Sequence, residues 1–139
     1  MKIHLKRINK DYRFETTNER GDVVYLDNKS EENPQGASPM DLLLRGLAGC
    51  SSIDVVMILK KQKIELDDLE VEVEGFREGG VPNVFKGIHL HFIMHGEAPT
   101  AKAIRAVELS MEKYCSVSKM LEKAAEITYS ITLNGEKIK

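Results

Sequence analysis

Residues 38–62 constrain most strongly what this chain can fold into. Ser38 carries a hydroxyl suited to accept from the free N–H groups of a first helical turn. Pro39 stands where no N–H is needed, and Asp41 follows three residues after the cap, as in a capping box. The spacing predicts a helix to about Gln62, roughly 36 Å long at ~1.5 Å per residue. Leu42, Leu43, Leu44, Leu47, Ile53, Val55, Val56, Ile58 and Leu59 lie all around it. A helix apolar on every side is one buried on every side. In 139 residues such a helix calls for a second subunit to help cover it. Gly46 and Gly49 lower helix propensity and leave room for another backbone to come close. The expectation is a stable homodimer built round this helix, with an apolar interface of more than ~2,000 Å². Arg45, Asp54 and several serines interrupt the run, so it does not read as a membrane span.

Strands flank the helix. Ile3 and Leu5, then Tyr12 and Phe14, then Val23 to Leu26 form short alternating runs, with turns at residues 9–11 and 19–21. Leu69, Val71 and Val73 alternate with Glu70, Glu72 and Glu74, and Ile88, Leu90, Phe92 and Met94 repeat the pattern. Pro99 opens a second helix through Ile104, Val107, Met111 and Tyr114. Ser116-Val117-Ser118 then caps a short helix reaching Ala125, and Ile127 to Leu133 form the last strand. Strands then helix, twice over, predict an α+β fold with a mainly antiparallel sheet, as a single domain over residues 1–139.

The formal net charge is −2, with basic and acidic residues interspersed. That gives no field for gathering nucleic acid or an anionic membrane surface. The basic start, Met1 to Arg7, is followed by no apolar stretch and does not read as a signal peptide. A cytoplasmic location is expected, where two cysteines are more often free or redox-active than a structural staple.

Cys50 and Cys115 are the candidates to carry chemistry, although by position alone a mid-helix cysteine is more often a small apolar filler. Cys50 lies mid-helix between small neighbours, Gly49, Ser51 and Ser52, which leave room for a substrate, and the ionisable Asp54 sits one turn along the same face. Cys115 falls at a predicted helix break, where a backbone can flex. A thiolate is the nucleophile, and an unassisted thiol near pKa ~8.5 is mostly protonated at neutral pH. The helix dipole fades within the first turn and does little for Cys50. A cation from elsewhere is required, and Arg13 and Arg20, near the ends of the early strands, are the candidates. His89, His91 and His95 share one face of a strand, but the neighbouring strand offers Glu70, Glu72 and Glu74 to that face. The set reads as a polar solvent face, and no metal or cofactor is expected.

Ser38-Pro39-Met40-Asp41-Leu42-Leu43-Leu44, followed by residues 46–56, resembles the central-helix signature of the osmotically inducible protein C (OsmC) family. Residues 114–118, Tyr-Cys-Ser-Val-Ser, resemble its second cysteine motif, and Pro82-Asn83-Val84-Phe85 running into Ile88-His89-Leu90-His91-Phe92 is also similar. The resemblance is nearest to the OsmC-related branch rather than the organic hydroperoxide resistance branch. It implies an intertwined homodimer with two long helices packed centrally. It implies a first cysteine, Cys50, that reduces a peroxide, and a second, Cys115, that resolves the sulfenic acid as a disulfide. A supporting arginine from the N-terminal strands and a glutamate near the helix start belong to that pattern. Here Met40 occupies the glutamate's place and an acid follows one position later as Asp41; Arg13 falls within a residue or so of the arginine's place, with Arg20 next.

Two functions are carried forward. One is a thiol-dependent peroxidase of oxidative-stress defence, acting on organic hydroperoxides or hydrogen peroxide and recycled by a dithiol, lipoyl-type in some relatives. The other is a dimeric binding protein for a small apolar ligand, with cysteines that are not catalytic.

Overall fold

The computed structural model describes residues 1–139, which divide into two units, Met1–Leu43 and Leu44–Lys139. In the first unit, β1 (Ile3–Arg7), β2 (Phe14–Asn18) and β3 (Val23–Leu26) form an antiparallel sheet in that order. Asn9 closes the first turn by accepting from the N–H groups of Asp11 and Arg13, and Asn18 closes the second by accepting from Arg20 and Asp22. The polar loop that follows is organised by buried Asp27, whose carboxylate accepts from the N–H of Asn28 and of Gln35.

The loop delivers Ser38 to the start of α1 (Pro39–Lys61). The expected capping box is present in both directions. Ser38 Oγ accepts from the Asp41 N–H, and Asp41 Oδ2 accepts from the Ser38 N–H, each at 3.2 Å. The helix boundaries lie within one residue of those predicted from sequence. By length and composition α1 could cross a membrane; within the single chain its buried side is the one that carries Leu47, Val55 and Leu59.

In the second unit, β4 (Asp68–Arg77), β5 (Phe85–His95), β6 (Glu126–Leu133) and β7 (Glu136–Lys137) form a sheet in that order. Period-2 alternation turns Ile88, Leu90, Phe92 and Met94 of β5 inward and holds them at no more than 1% exposure. Together with Leu47, Val55 and Leu59 of α1, Ala103, Ala106 and Val107 of α2 (Thr100–Leu109), and Ile131 of β6, they make this unit's core. The other sheet face is polar, as the sequence suggested. Glu72 lies opposite His91 and Glu74 opposite His89, while both histidine rings hydrogen-bond to Thr128, Ser130 or Thr132.

The sheet expectation holds with one exception, and two local expectations need correction. The sheets are mainly antiparallel, but β5 and β6 pair in parallel. The chain between them is a helical crossover long enough to return a strand in the same direction, which a tight hairpin cannot do. The second helix does not run on to Tyr114: it passes at Ser110 into a π-helical turn, Ser110–Tyr114. The cap of α3 (Ser116–Leu121) is not Ser116 or Ser118 but Cys115, whose Sγ accepts from the Ser118 N–H at 3.4 Å.

The long helix is also not buried on every side within one chain. Its buried stripe is Leu47, Ser51, Val55 and Leu59, while Ile53 and Met57 on the opposite side are 62% and 50% exposed. A Cβ built on Gly46 or Gly49 would meet nothing within 4 Å, so the glycines open onto unoccupied space.

Candidate active site

Helical periodicity sets the first half of the site. Cys50 and Asp54 are four residues apart and therefore share a face of α1. Between them Ser51 is turned inward, its buried Oγ–H donating to the Leu47 carbonyl at 2.8 Å. Cys50 and Asp54 are half-buried, which leaves both within reach of a small molecule.

The π-helical turn sets the second half. Its wider ring lets the Cys115 N–H donate to the Ser110 carbonyl five residues back, at 2.8 Å, and π turns recur at functional sites. After that bond the chain leaves helical geometry, with Cys115 at φ −67° and ψ 103°, before α3 begins. Cys115 thus sits at a break between two helices, fully buried, and both cysteines are free thiols. Its Sγ, the Cys50 Sγ and a carboxylate oxygen of Asp54 lie within 4.8 Å of one another. The 65-residue separation along the chain is closed by the fold.

Ser110 ties the halves together. Its hydroxyl, wholly buried, lies 3.2 Å from the Ser51 carbonyl and 3.3 Å from Asp54 Oδ2, and donates toward this pair of acceptors. Ser110 therefore contacts the helix that carries Cys50 through its side chain, and Cys115 through its backbone. Nothing in the sequence reading singled it out. The available signal was a polar residue on the apolar stripe Ala103, Val107, Ser110, Met111.

Burial pushes the Cys115 thiol up to about 11. The Ser118 N–H favours the thiolate, but it is outweighed by burial and by the neighbouring Cys50 thiol and Asp54 carboxylate. Cys115 is therefore a neutral thiol at physiological pH and a poor nucleophile until its proton is removed. Asp54 also borders a cavity of about 430 Å³, walled by Met57, Ile58, Leu109 and Tyr114 with Lys61 and Gln62 as its other polar liners; neither cysteine lines it. That size and mixture suit a small, largely apolar ligand with one polar end.

Of the other predicted residues, Arg20 forms an ion pair with Asp22, and Asp41 is occupied by the Ser38 N–H. Arg13 donates to Gln35 Oε1 at 3.0 Å, lies over the Tyr25 ring at 5.0 Å, and has a buried Nε with no partner. Among these candidates, only Arg20 has an ion-pair partner.

The family model for OsmC-like proteins matches residues 30–130. Protein YhfA of Escherichia coli K12 is 44% identical over 111 residues, which cover 79% of this chain and 81% of that protein. A solved structure of a hypothetical protein from Aquifex aeolicus VF5 superposes with a TM-score of 0.81 at 27% identity, over 96% of each chain. The organic hydroperoxide resistance protein OsmC of Legionella pneumophila shares the fold, with a TM-score of 0.70 at 20% identity over 95% of this chain and 97% of that one. The matched span includes both cysteines, the capped central helix and the carboxylate beside the sulfurs, and the chain belongs to the OsmC-like family.

Proposed function

We propose that this protein is a homodimeric, thiol-dependent peroxidase in which Cys50 reduces a hydroperoxide and Cys115 resolves the oxidised product. Membership of the OsmC-like family supports a redox or peroxide-stress role. The observation that carries the finer reading is the approach of two free thiols within 4.8 Å of one another and of Asp54, which also lines a mainly apolar cavity.

The division of labour follows from exposure. Cys50 is half-buried and reachable, whereas Cys115 is sealed and held neutral by its surroundings. The Cys50 thiolate attacks one peroxide oxygen and the O–O bond breaks; Cys50 becomes a sulfenic acid, and the departing alkoxide takes up the proton that the thiol shed on ionising and leaves as an alcohol. Cys115 then attacks that sulfur, forming the disulfide and releasing water. A dithiol, lipoyl-type or similar, returns both thiols by exchange. In a reducing cytoplasm this pair works only as a reversible bond, so its potential lies above the roughly −300 mV below which structural disulfides typically fall. The exposed stripe of α1, with Gly46 and Gly49 open and Ile53 and Met57 uncovered, is the face that a second copy covers.

The test is consumption of an alkyl hydroperoxide and of hydrogen peroxide with a dithiol reductant. Many turnovers per chain are expected, with the alkyl substrate preferred because the cavity wall is mainly apolar. The cavity also favours one competing reading, a carrier of small apolar ligands with incidental cysteines. Absence of turnover with either peroxide, together with a ligand-induced rise in Tm, would establish the carrier in place of the enzyme.

A further inference from the structure

We propose that Asp54 is the proton carrier of the resolving step. Its carboxylate takes the thiol proton from Cys115 as that sulfur attacks the Cys50 sulfenic acid, and passes it to the departing oxygen. The inference rests on the peroxidase reading and adds to it a role for a residue on neither sulfur-bearing motif's cysteine.

The step balances without an added reactant. A Cys50–SOH and a Cys115–SH become a disulfide and one water. The S–S bond forms and the S–O bond breaks; the thiol sulfur is oxidised and the sulfenic sulfur reduced. The Cys115 proton leaves on the water. One proton must therefore travel from the attacking sulfur to the oxygen on the attacked one, and a single acceptor beside both ends of that path can carry it.

Asp54 has that position. Its carboxylate and both sulfurs lie within 4.8 Å of one another. The helix repeat puts it on the Cys50 face, and the Ser110 hydroxyl, 3.3 Å from Oδ2, holds it toward the π-helical turn that carries Cys115. Ser110 is thereby a positioning residue for both partners, since its carbonyl accepts the Cys115 N–H at 2.8 Å.

Resolution also needs such a carrier. The groups acting on Cys115 are the Ser118 N–H, Cys50 and Asp54, and none is a cation. A thiol pushed to about 11 is ionised to roughly one part in 10⁴ at pH 7, so attack through a preformed thiolate is slow. Proton transfer during attack removes that limit. The ionisable groups facing Asp54 are Cys50 on its own helix, Cys115 and Tyr114 on the opposing turn, and Lys61 across the cavity.

A purely electrostatic role predicts the opposite sign. The Asp54 charge helps to hold Cys115 protonated, so its removal would by field alone enlarge the thiolate fraction and speed resolution. Asp54→Asn is therefore decisive, and it retains size and an acceptor for Ser110. Reduced protein is mixed with one equivalent of alkyl hydroperoxide. Sulfenic acid is followed by a dimedone-type trap, and disulfide by quench and mass spectrometry, from pH 6 to 9.

Asp54→Asn is expected to form the sulfenic acid, and the rate of that step is measured separately from closure. It should close the disulfide about 10²-fold more slowly at pH 7, in the range that a positioned base contributes. Its closing rate should climb nearly tenfold per pH unit, whereas wild type and Asp54→Glu change little. Ser110→Ala should show a smaller loss in the same step. Disulfide closure in Asp54→Asn as fast as wild type or faster, or slowing confined to sulfenic acid formation, would overturn the proposal. Wild-type protein that forms no sulfenic acid at all would instead overturn the peroxidase reading beneath it. Matching Tm values for wild type and Asp54→Asn, with closure retained in Asp54→Glu, separate proton transfer from simple misfolding.

Discussion

Cys50→Ser is expected to abolish dithiol-driven hydroperoxide consumption. The fall in kcat/KM should be at least about 10³-fold, because removing a nucleophile outright costs orders of magnitude. A serine hydroxyl in the same place has neither the acidity nor the polarisable sulfur that attacks an O–O bond. Cys115→Ser should behave differently. It keeps the attacking sulfur, so it should consume about one equivalent of hydroperoxide in a first burst and then stall. Its Cys50 accumulates as sulfenic acid and, with further peroxide, passes to sulfinic acid, which dithiols do not reverse. In Cys50→Ser, Cys115 should stay largely unmodified, since it is fully buried and its thiol is pushed up to about 11. Intact-mass spectra of the two variants after limiting peroxide distinguish the roles. Oxidation of Cys115 in Cys50→Ser, with Cys50 inert in Cys115→Ser, would reverse the assignment.

Ile53→Asp is expected to convert the dimer to a monomer. Ile53 is 62% exposed in the single chain, so an aspartate there costs the isolated fold little. In a symmetric pair each interface receives the substitution twice. Burying an unpaired carboxylate costs several kcal/mol, so the dimer Kd should rise by at least about 10³-fold. Light scattering at low micromolar concentration should report twice the 15.7 kDa chain mass for wild type and the single mass for the variant, with unchanged circular dichroism. A monodisperse wild-type monomer under the same conditions would remove the dimer from the account.

Local signals in the sequence carried much of this structure, and their reach explains what they missed. The α1 boundaries were legible because Ser38, Pro39 and Asp41 act within one helical turn. Alternation from Ile88 to Met94 marked a strand with one buried face, since a strand's side chains repeat every two residues. The parallel pairing of β6 with β5 was not legible: alternation is the same in either direction, and only the length of the helical crossover distinguishes the cases. The π-helical turn was invisible for a related reason. One extra residue per ring leaves no composition mark, and apolar positions from Ile104 to Tyr114 fit an uninterrupted α-helix nearly as well. In the site, Cys50 and Asp54 were paired by helix spacing, and Cys115 was placed at a break. Ser110 depends on a contact between segments 56 residues apart, Asp54 and Ser110, and spacing cannot reveal it. The supporting carboxylate is a related case. Asp41 lay nearest the expected glutamate in sequence, but its oxygen is taken by the Ser38 N–H, and the carboxylate at the sulfurs is Asp54.

The central claim is a reversible bond between Cys50 and Cys115 driven by hydroperoxide, and mass spectrometry of the native protein tests it most directly. Reduced protein is given one equivalent of alkyl hydroperoxide per chain, alkylated under denaturing conditions and digested. The account predicts a peptide pair joined through Cys50 and Cys115, a loss of two hydrogens from the intact chain, and full recovery of both thiols in millimolar dithiol while the protein stays folded. Two alkylated thiols with the peroxide unconsumed, or a bond that millimolar dithiol cannot reopen in the folded protein, would contradict it.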